Sequence, residues 1–159
     1  MRRLRAVRPV EVGDRGLEVI SFCGHCAKAP VEAQPSRVCG HCGLGLVLQA
    51  PSDVAPRDGE PFLVIDSTLS VCAVSAEAEA LLGMDETKAV NHHIADFLVP
   101  ADANAPSSDN LLALLVVAAS GGGEPRTAVV RPRTEFGVRF RVRIGSCGPP
   151  RAALLVLGS

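Results

Sequence analysis

Tryptophan and tyrosine are absent from the 159 residues, and five Phe are the whole aromatic complement. Side chains that stack on bases, sugars or flavins are therefore nearly missing, which argues against recognition through an aromatic platform. Long apolar runs are missing too: the longest, Leu111 to Ala119, has nine residues, against the roughly 20 that a membrane-crossing helix needs. The basic start, with Arg2, Arg3, Arg5 and Arg8, runs into Pro9 and Glu11 rather than into the apolar stretch of a secretion signal. These absences give the expectation of a cytoplasmic protein with no membrane partner. The length excludes a barrel-sized enzyme and fits one domain with a small appendage. At 47% hydrophobic and 21% charged residues the chain has material for a core and is far from a disordered composition.

Charge is scarce in net terms, −1, but unevenly placed. Residues 1–59 hold 8 basic and 6 acidic groups, residues 60–125 hold 1 and 10, and residues 126–159 hold 7 and 1. An acidic middle thus precedes a basic end.

Four of the six Cys lie in two identical Cys-Gly-His-Cys tetrapeptides, Cys23 to Cys26 and Cys39 to Cys42. Without a secretion signal, that grouping favours metal or redox chemistry over a disulfide framework. Four thiolates can close a tetrahedron around Zn²⁺, and two residues between paired ligands let one tight turn aim both sulfurs at the same ion. Glycines in each knuckle admit close backbone approach and positive φ, so that N–H groups can donate to sulfur. The pattern resembles a rubredoxin-type zinc ribbon with a short spacer, which implies one structural Zn²⁺ on Cys23, Cys26, Cys39 and Cys42. Cys-Gly-His-Cys is also the motif of thiol–disulfide oxidoreductases, but that chemistry needs one pair at a helix N-terminus. Here the motif occurs twice, and Pro30 and Pro35 disfavour a long helix after the first pair. His25 and His41 are expected to point outward, and the remaining Cys72 and Cys147 to act as small core hydrophobes.

Residues 1–16 read as a basic arm and 17–50 as the ribbon, with strands running into Cys23 and over Leu44 to Leu48. Residues 51–59, with Pro51 and Pro56, read as a stiff linker. A second unit over 60–159 follows. Strands are expected at Pro61–Asp66 and Leu69–Val74, then a helix capped by Ser75 and stopped by Gly83. A less regular helix over Asp85–Leu98 and another from Asp109 or Asn110 to Ser120 follow, then strands at Arg126–Arg131, Glu135–Ile144 and Ala152–Leu157.

Phe62-Leu-Val-Ile-Asp66, Leu69 to Val74, Ser75-Ala-Glu-Ala-Glu-Ala-Leu-Leu-Gly83 and Ile94-Ala-Asp-Phe-Leu-Val-Pro100, in that order, resemble the PAS domain, a sensory and dimerisation fold. Ser75 stands where family members often have Asn, and Asn91 where many have Gly. The resemblance implies an α+β architecture: a small zinc ribbon followed by a PAS-like five-stranded antiparallel sheet with helices on one face. It also implies an apolar pocket between sheet and helices, lined from Phe62, Val64, Val71, Leu82, Ile94, Phe97, Leu111, Leu115, Val129, Phe140 and Val142. No haem or flavin is expected: haem-binding relatives often place a His where Asn110 to Ser120 has none. Photoreceptor relatives carry a Cys in a stretch whose nearest counterpart, Asn91-His92-His93-Ile94, lacks one.

Leu111, Leu112, Leu114, Leu115, Val116 and Val117 make one helix apolar nearly all round, which asks for cover on more than one side and suggests a homodimer. Val138, Phe140, Val142 and Ile144 alternate with Arg139, Arg141 and Arg143, leaving an Arg row as a solvated face or a partner surface. Together these features describe a non-enzymatic signalling module that binds partners, a separate regulatory protein among them; its apolar pocket is expected to be a filled core, with a small apolar or amphipathic ligand as the alternative. With only Gly158 and Ser159 after the last expected strand, the signal is expected to leave through the ribbon, the dimer surface or that separate protein. A nucleic-acid-binding regulator using the ribbon and Arg segments is the alternative, opposed by the acidic middle; a thiol oxidoreductase comes third.

Overall fold

The computed structural model of the protein describes residues 18–31, 36–101, 110–122 and 124–158. The basic arm expected at 1–16 and the cap at Asp109 lie outside the described residues. Two strands, β1 (Val19–Cys23) and β2 (Val47–Pro51), form an antiparallel hairpin with Cys23 opposite Val47. Then come β3 (Phe62–Ile65), β4 (Val71–Val74), α1 (Ala76–Leu82), α2 (Glu86–Ala89), β5 (Leu98–Pro100), α3 (Asn110–Ala119), β6 (Arg126–Pro132), β7 (Phe140–Cys147) and β8 (Ala152–Gly158). Strands β3 to β8 make one antiparallel sheet in the order β4-β3-β8-β7-β6-β5. The architecture is α+β, and the sheet has six strands rather than the five expected, because Leu98–Pro100 pairs with β6.

Ser75 caps α1 as expected: its Oγ accepts from Ala78 N, and Gly83 ends the helix with φ 63°. The helix expected over Asp85–Leu98 is instead broken after α2. Asn91 takes φ 75°, and the backbone at 91–94 exchanges hydrogen bonds with β4 and the turn before it: Asn91 N donates to the Val71 carbonyl, Val71 N to that of His92, and Ile94 N to that of Leu69. Pairing with a strand edge outweighs continuation of a short helix. The expected strand at Glu135 begins only at Phe140, after a turn.

Both faces of the sheet are covered over β3 and β8. On the inner face α3 and the α1–α2 region pack on Leu63, Ile65, Val142, Ile144, Leu155 and Leu157. On the outer face Phe22, Leu48 and Ala50 of the hairpin, with Val54 and Ala55, pack on Phe62, Val64, Leu154 and Val156. Phe22 and Phe62 meet edge to face with centroids 5.4 Å apart. The segment 51–59 is therefore not a linker standing between two units: Pro51 belongs to β2, and Val54 and Ala55 are buried. A Cβ on Gly145 would come within 2.5 Å of Val54, so this closeness of segment to sheet requires glycine. Backbone bonds in both directions between Gln49 and Gly148 tie β2 to the β7–β8 turn, and Arg37 donates to the Pro149 carbonyl. Among the described residues, no helix is long and apolar enough to cross a membrane.

Candidate metal centre

β1 carries Cys23 into the first knuckle, and the second knuckle, Cys39 to Cys42, leads through a turn into β2. Pairing of β1 with β2 brings the knuckles face to face. Sulfur ligand atoms of Cys23, Cys26, Cys39 and Cys42 all lie within 4.8 Å of one another. Cys23 Sγ is 3.7 Å from Cys42 Sγ, and Cys26 Sγ is 3.7 Å from Cys39 Sγ. A tetrahedron with Zn–S bonds of about 2.3 Å has edges of about 3.8 Å, whereas a disulfide would need about 2.05 Å. All six cysteines are free of disulfides.

The knuckles repeat one local geometry. His25 N and Cys26 N donate to Cys23 Sγ at 3.2 and 3.4 Å, and His41 N donates to Cys39 Sγ at 3.2 Å. Leu44 N donates to Cys42 Sγ at 3.5 Å. Such donors spread thiolate charge and orient the ligands. Burial pushes the Cys23 thiol up to about 12 despite its two N–H donors. At Cys42 burial acts in the same direction, but the N–H groups of Gly45 and Leu44 and the neighbouring thiols outweigh it and bring the group down to about 6. A Cβ on Gly45 would stand 2.5 Å from Cys23 Sγ and 2.7 Å from His25 N, so glycine is required where the β2 approach passes behind the ligand.

His41 is exposed as expected, but His25 is half-buried, with Nδ1 shut from solvent and without a hydrogen-bond partner. The cause is that the first knuckle abuts α1: the His25 carbonyl accepts from Ala76 N at 2.8 Å, satisfying a donor at the start of that helix. Cys147 is buried in the outer-face core, whereas Cys72 is exposed on β4. A register shift in β4, with Ile65 opposite Val71 and Val64 opposite Ala73, leaves Cys72 as the extra residue, beside the ribbon at the sheet edge and beyond the hairpin's cover.

The expected pocket residues divide. Val71, Leu82, Ile94, Phe97, Leu111, Leu115, Phe140 and Val142 meet in the inner core. Phe62 and Val64 lie on the opposite face under the hairpin, and Val129 is 43% exposed. The Arg row divides as well. Arg139 precedes β7, and Arg139 and Arg141 are exposed. Arg143 forms a bidentate pair with Glu60, at 3.0 Å and 2.8 Å, and donates to the Ala55 carbonyl at 3.1 Å. It is thus a clamp for the covering segment and no part of an open surface. Unforeseen in sequence was Phe136, exposed in the β6–β7 turn with the Arg131 guanidinium 4.2 Å above its ring; nothing in the local pattern distinguishes it from a core Phe.

No family model matches the chain, and no curated protein matches it. Among solved structures the chain is similar to the PAS domain of an HTR-like protein from Haloarcula marismortui, at 18% identity and a TM-score of 0.40, over 64% of this chain and 80% of that one.

Proposed function

We propose that the protein is a signalling module in which a structural zinc ribbon is clamped to a PAS-like sensory sheet, and that it acts by binding rather than by turnover. The observation that carries the reading is the cluster of four sulfurs within 4.8 Å of one another, with two of the separations at 3.7 Å and each knuckle lending N–H donors. Zinc would be held by Cys23, Cys26, Cys39 and Cys42 with no position left open, the pattern of structural rather than catalytic sites. A thiol oxidoreductase is disfavoured because neither pair stands at a helix N-terminus. The PAS-like reading is supported by the strand and helix order, by the antiparallel sheet and by helices confined to its inner face.

Output is assigned to protein surfaces. Arg139 and Arg141, with Arg131 and Arg133 on the neighbouring strand and turn, form a basic patch suited to an acidic protein partner. Native mass spectrometry with metal analysis tests the reading, with one zinc per chain expected. Protein purified under reducing conditions that contains no metal, or carries disulfides among the four cysteines, would overturn it.

A further inference from the structure

Between the turn after Cys42 and the outer side of the sheet edge lies a cleft of ≈ 290 Å³. Leu44, Gly45 and Leu46 line it from the ribbon, and Val64, Cys72 and Ala73 from β3 and β4. Leu44 is 72% exposed and Leu46 45%, although neither is a metal ligand. Large aliphatic side chains left to water beside a concave apolar wall mark a binding surface.

Charge narrows what fits. The lining includes the carboxylates of Asp66 and Glu86. Each is pinned by backbone: Asp66 Oδ1 accepts from Thr68 N and Ser70 N, and Glu86 Oε2 from Val74 N. Among the described residues Arg151 is the one cation in the lining, and its guanidinium donates to the Ser120 carbonyl at 3.2 Å. Behind Gly45 stands Cys23 Sγ, and four thiolates on one Zn²⁺ leave a surplus of negative charge. An anionic ligand would meet repulsion from both sides.

We propose that this cleft binds a small apolar molecule, neutral or cationic, about the size of a two-ring aromatic. The site is at the β4 edge of the sheet, where the ribbon, the outer face and the ends of α2 at Glu86 and Val90 meet, and is separate from the inner core. It rests on the metal-loaded ribbon, since Leu44, Gly45 and Leu46 hold their places through the second knuckle.

Cys72 is a built-in reporter, because it lines the cleft and is exposed while Cys147 is buried and the other four thiols face one another. Alkylation of Cys72 by N-benzylmaleimide and by N-methylmaleimide is followed by peptide mass mapping, with the same pair on N-acetylcysteine as reference and zinc measured in the same sample. The expected result is a preference for the benzyl reagent about tenfold beyond that of the free thiol. Slowing of alkylation by 2-naphthol and 2-naphthylmethylamine, but not by 2-naphthoate, is expected with it. Leu44→Ser combined with Leu46→Ser should abolish the preference with zinc retained. Zinc-loaded protein that shows no preference, or equal protection by naphthoate, overturns the cleft proposal alone. A preference that fades as protein concentration rises gives the cleft to a second copy and overturns it too. Zinc-free protein that keeps the preference overturns the ribbon reading and the dependence on it.

Discussion

A left-handed backbone residue closes each knuckle, Ala27 with φ 68° in the first and Gly43 with φ 70° in the second. A Cβ at Gly43 would meet nothing within 4 Å, so Gly43→Ala isolates the backbone cost of about 1 kcal/mol. Metal affinity should fall about fivefold, measured by competition with a chromophoric chelator. Ser75 serves two donors at once, Phe62 N at 2.9 Å and Ala78 N at 3.2 Å, while fully buried. Ser75→Ala removes a helix cap and orphans a buried strand N–H, so it should destabilise the protein by about 2 kcal/mol in chemical denaturation. Glu60 is held below its ordinary carboxyl range by hydrogen bonds from Arg143, against the opposing effect of burial. With the folded group depressed, its stabilisation is present above the unfolded value near 4.5 and is lost as pH falls through the folded one. Glu60→Gln should therefore flatten the acid limb of the stability curve, and at neutral pH should cost about 2 kcal/mol by leaving Arg143 unpaired.

At the level of elements, what was legible in sequence was local. The two knuckles, the Ser75 cap and the Gly83 stop each depend on residues a few positions apart. The path of 91–94 was not, because it is decided by hydrogen bonds to β4 that helix-forming tendency does not register. The covering of the outer face was half legible: Phe62 to Ile65 and Ala152 to Leu157 are apolar without alternation, the mark of strands buried on both sides. The identity of the cover was hidden, since the contacts join residues near 22, 48 and 54 to residues near 62 and 154. The Arg row was misread at Arg143 because its partner, Glu60, lies 83 positions away. Removal of the proposed zinc should be felt through the packing of the hairpin on the sheet. Cys26→Ser, or a chelator, should lower the midpoint of thermal unfolding of the sheet itself and raise amide exchange in β3 and β8. If the thermal midpoint is unchanged, hairpin and sheet are energetically independent.

For the whole molecule, the inner-face helix α3 leaves Val116 and Val117 exposed, at 41% and 50%. A second copy covering that strip would remove an aggregation liability, and light scattering at tens of micromolar should report a dimer; a monomer would count against it. Acidic Glu77 and Asp85 near the first two helices are exposed as well, offering a counterpart to Arg139 and Arg141. Arg139→Glu with Arg141→Glu should weaken association and leave zinc content unchanged. The position of β8 bears on how the protein is made. It is the last strand among the described residues, yet it sits between β3 and β7, and its alternate residues fill both cores. During synthesis the hairpin can pair early, but neither core can close until residue 158 has left the ribosome tunnel. Until then the emerging chain carries unpaired strand edges exposed to proteases and chaperones.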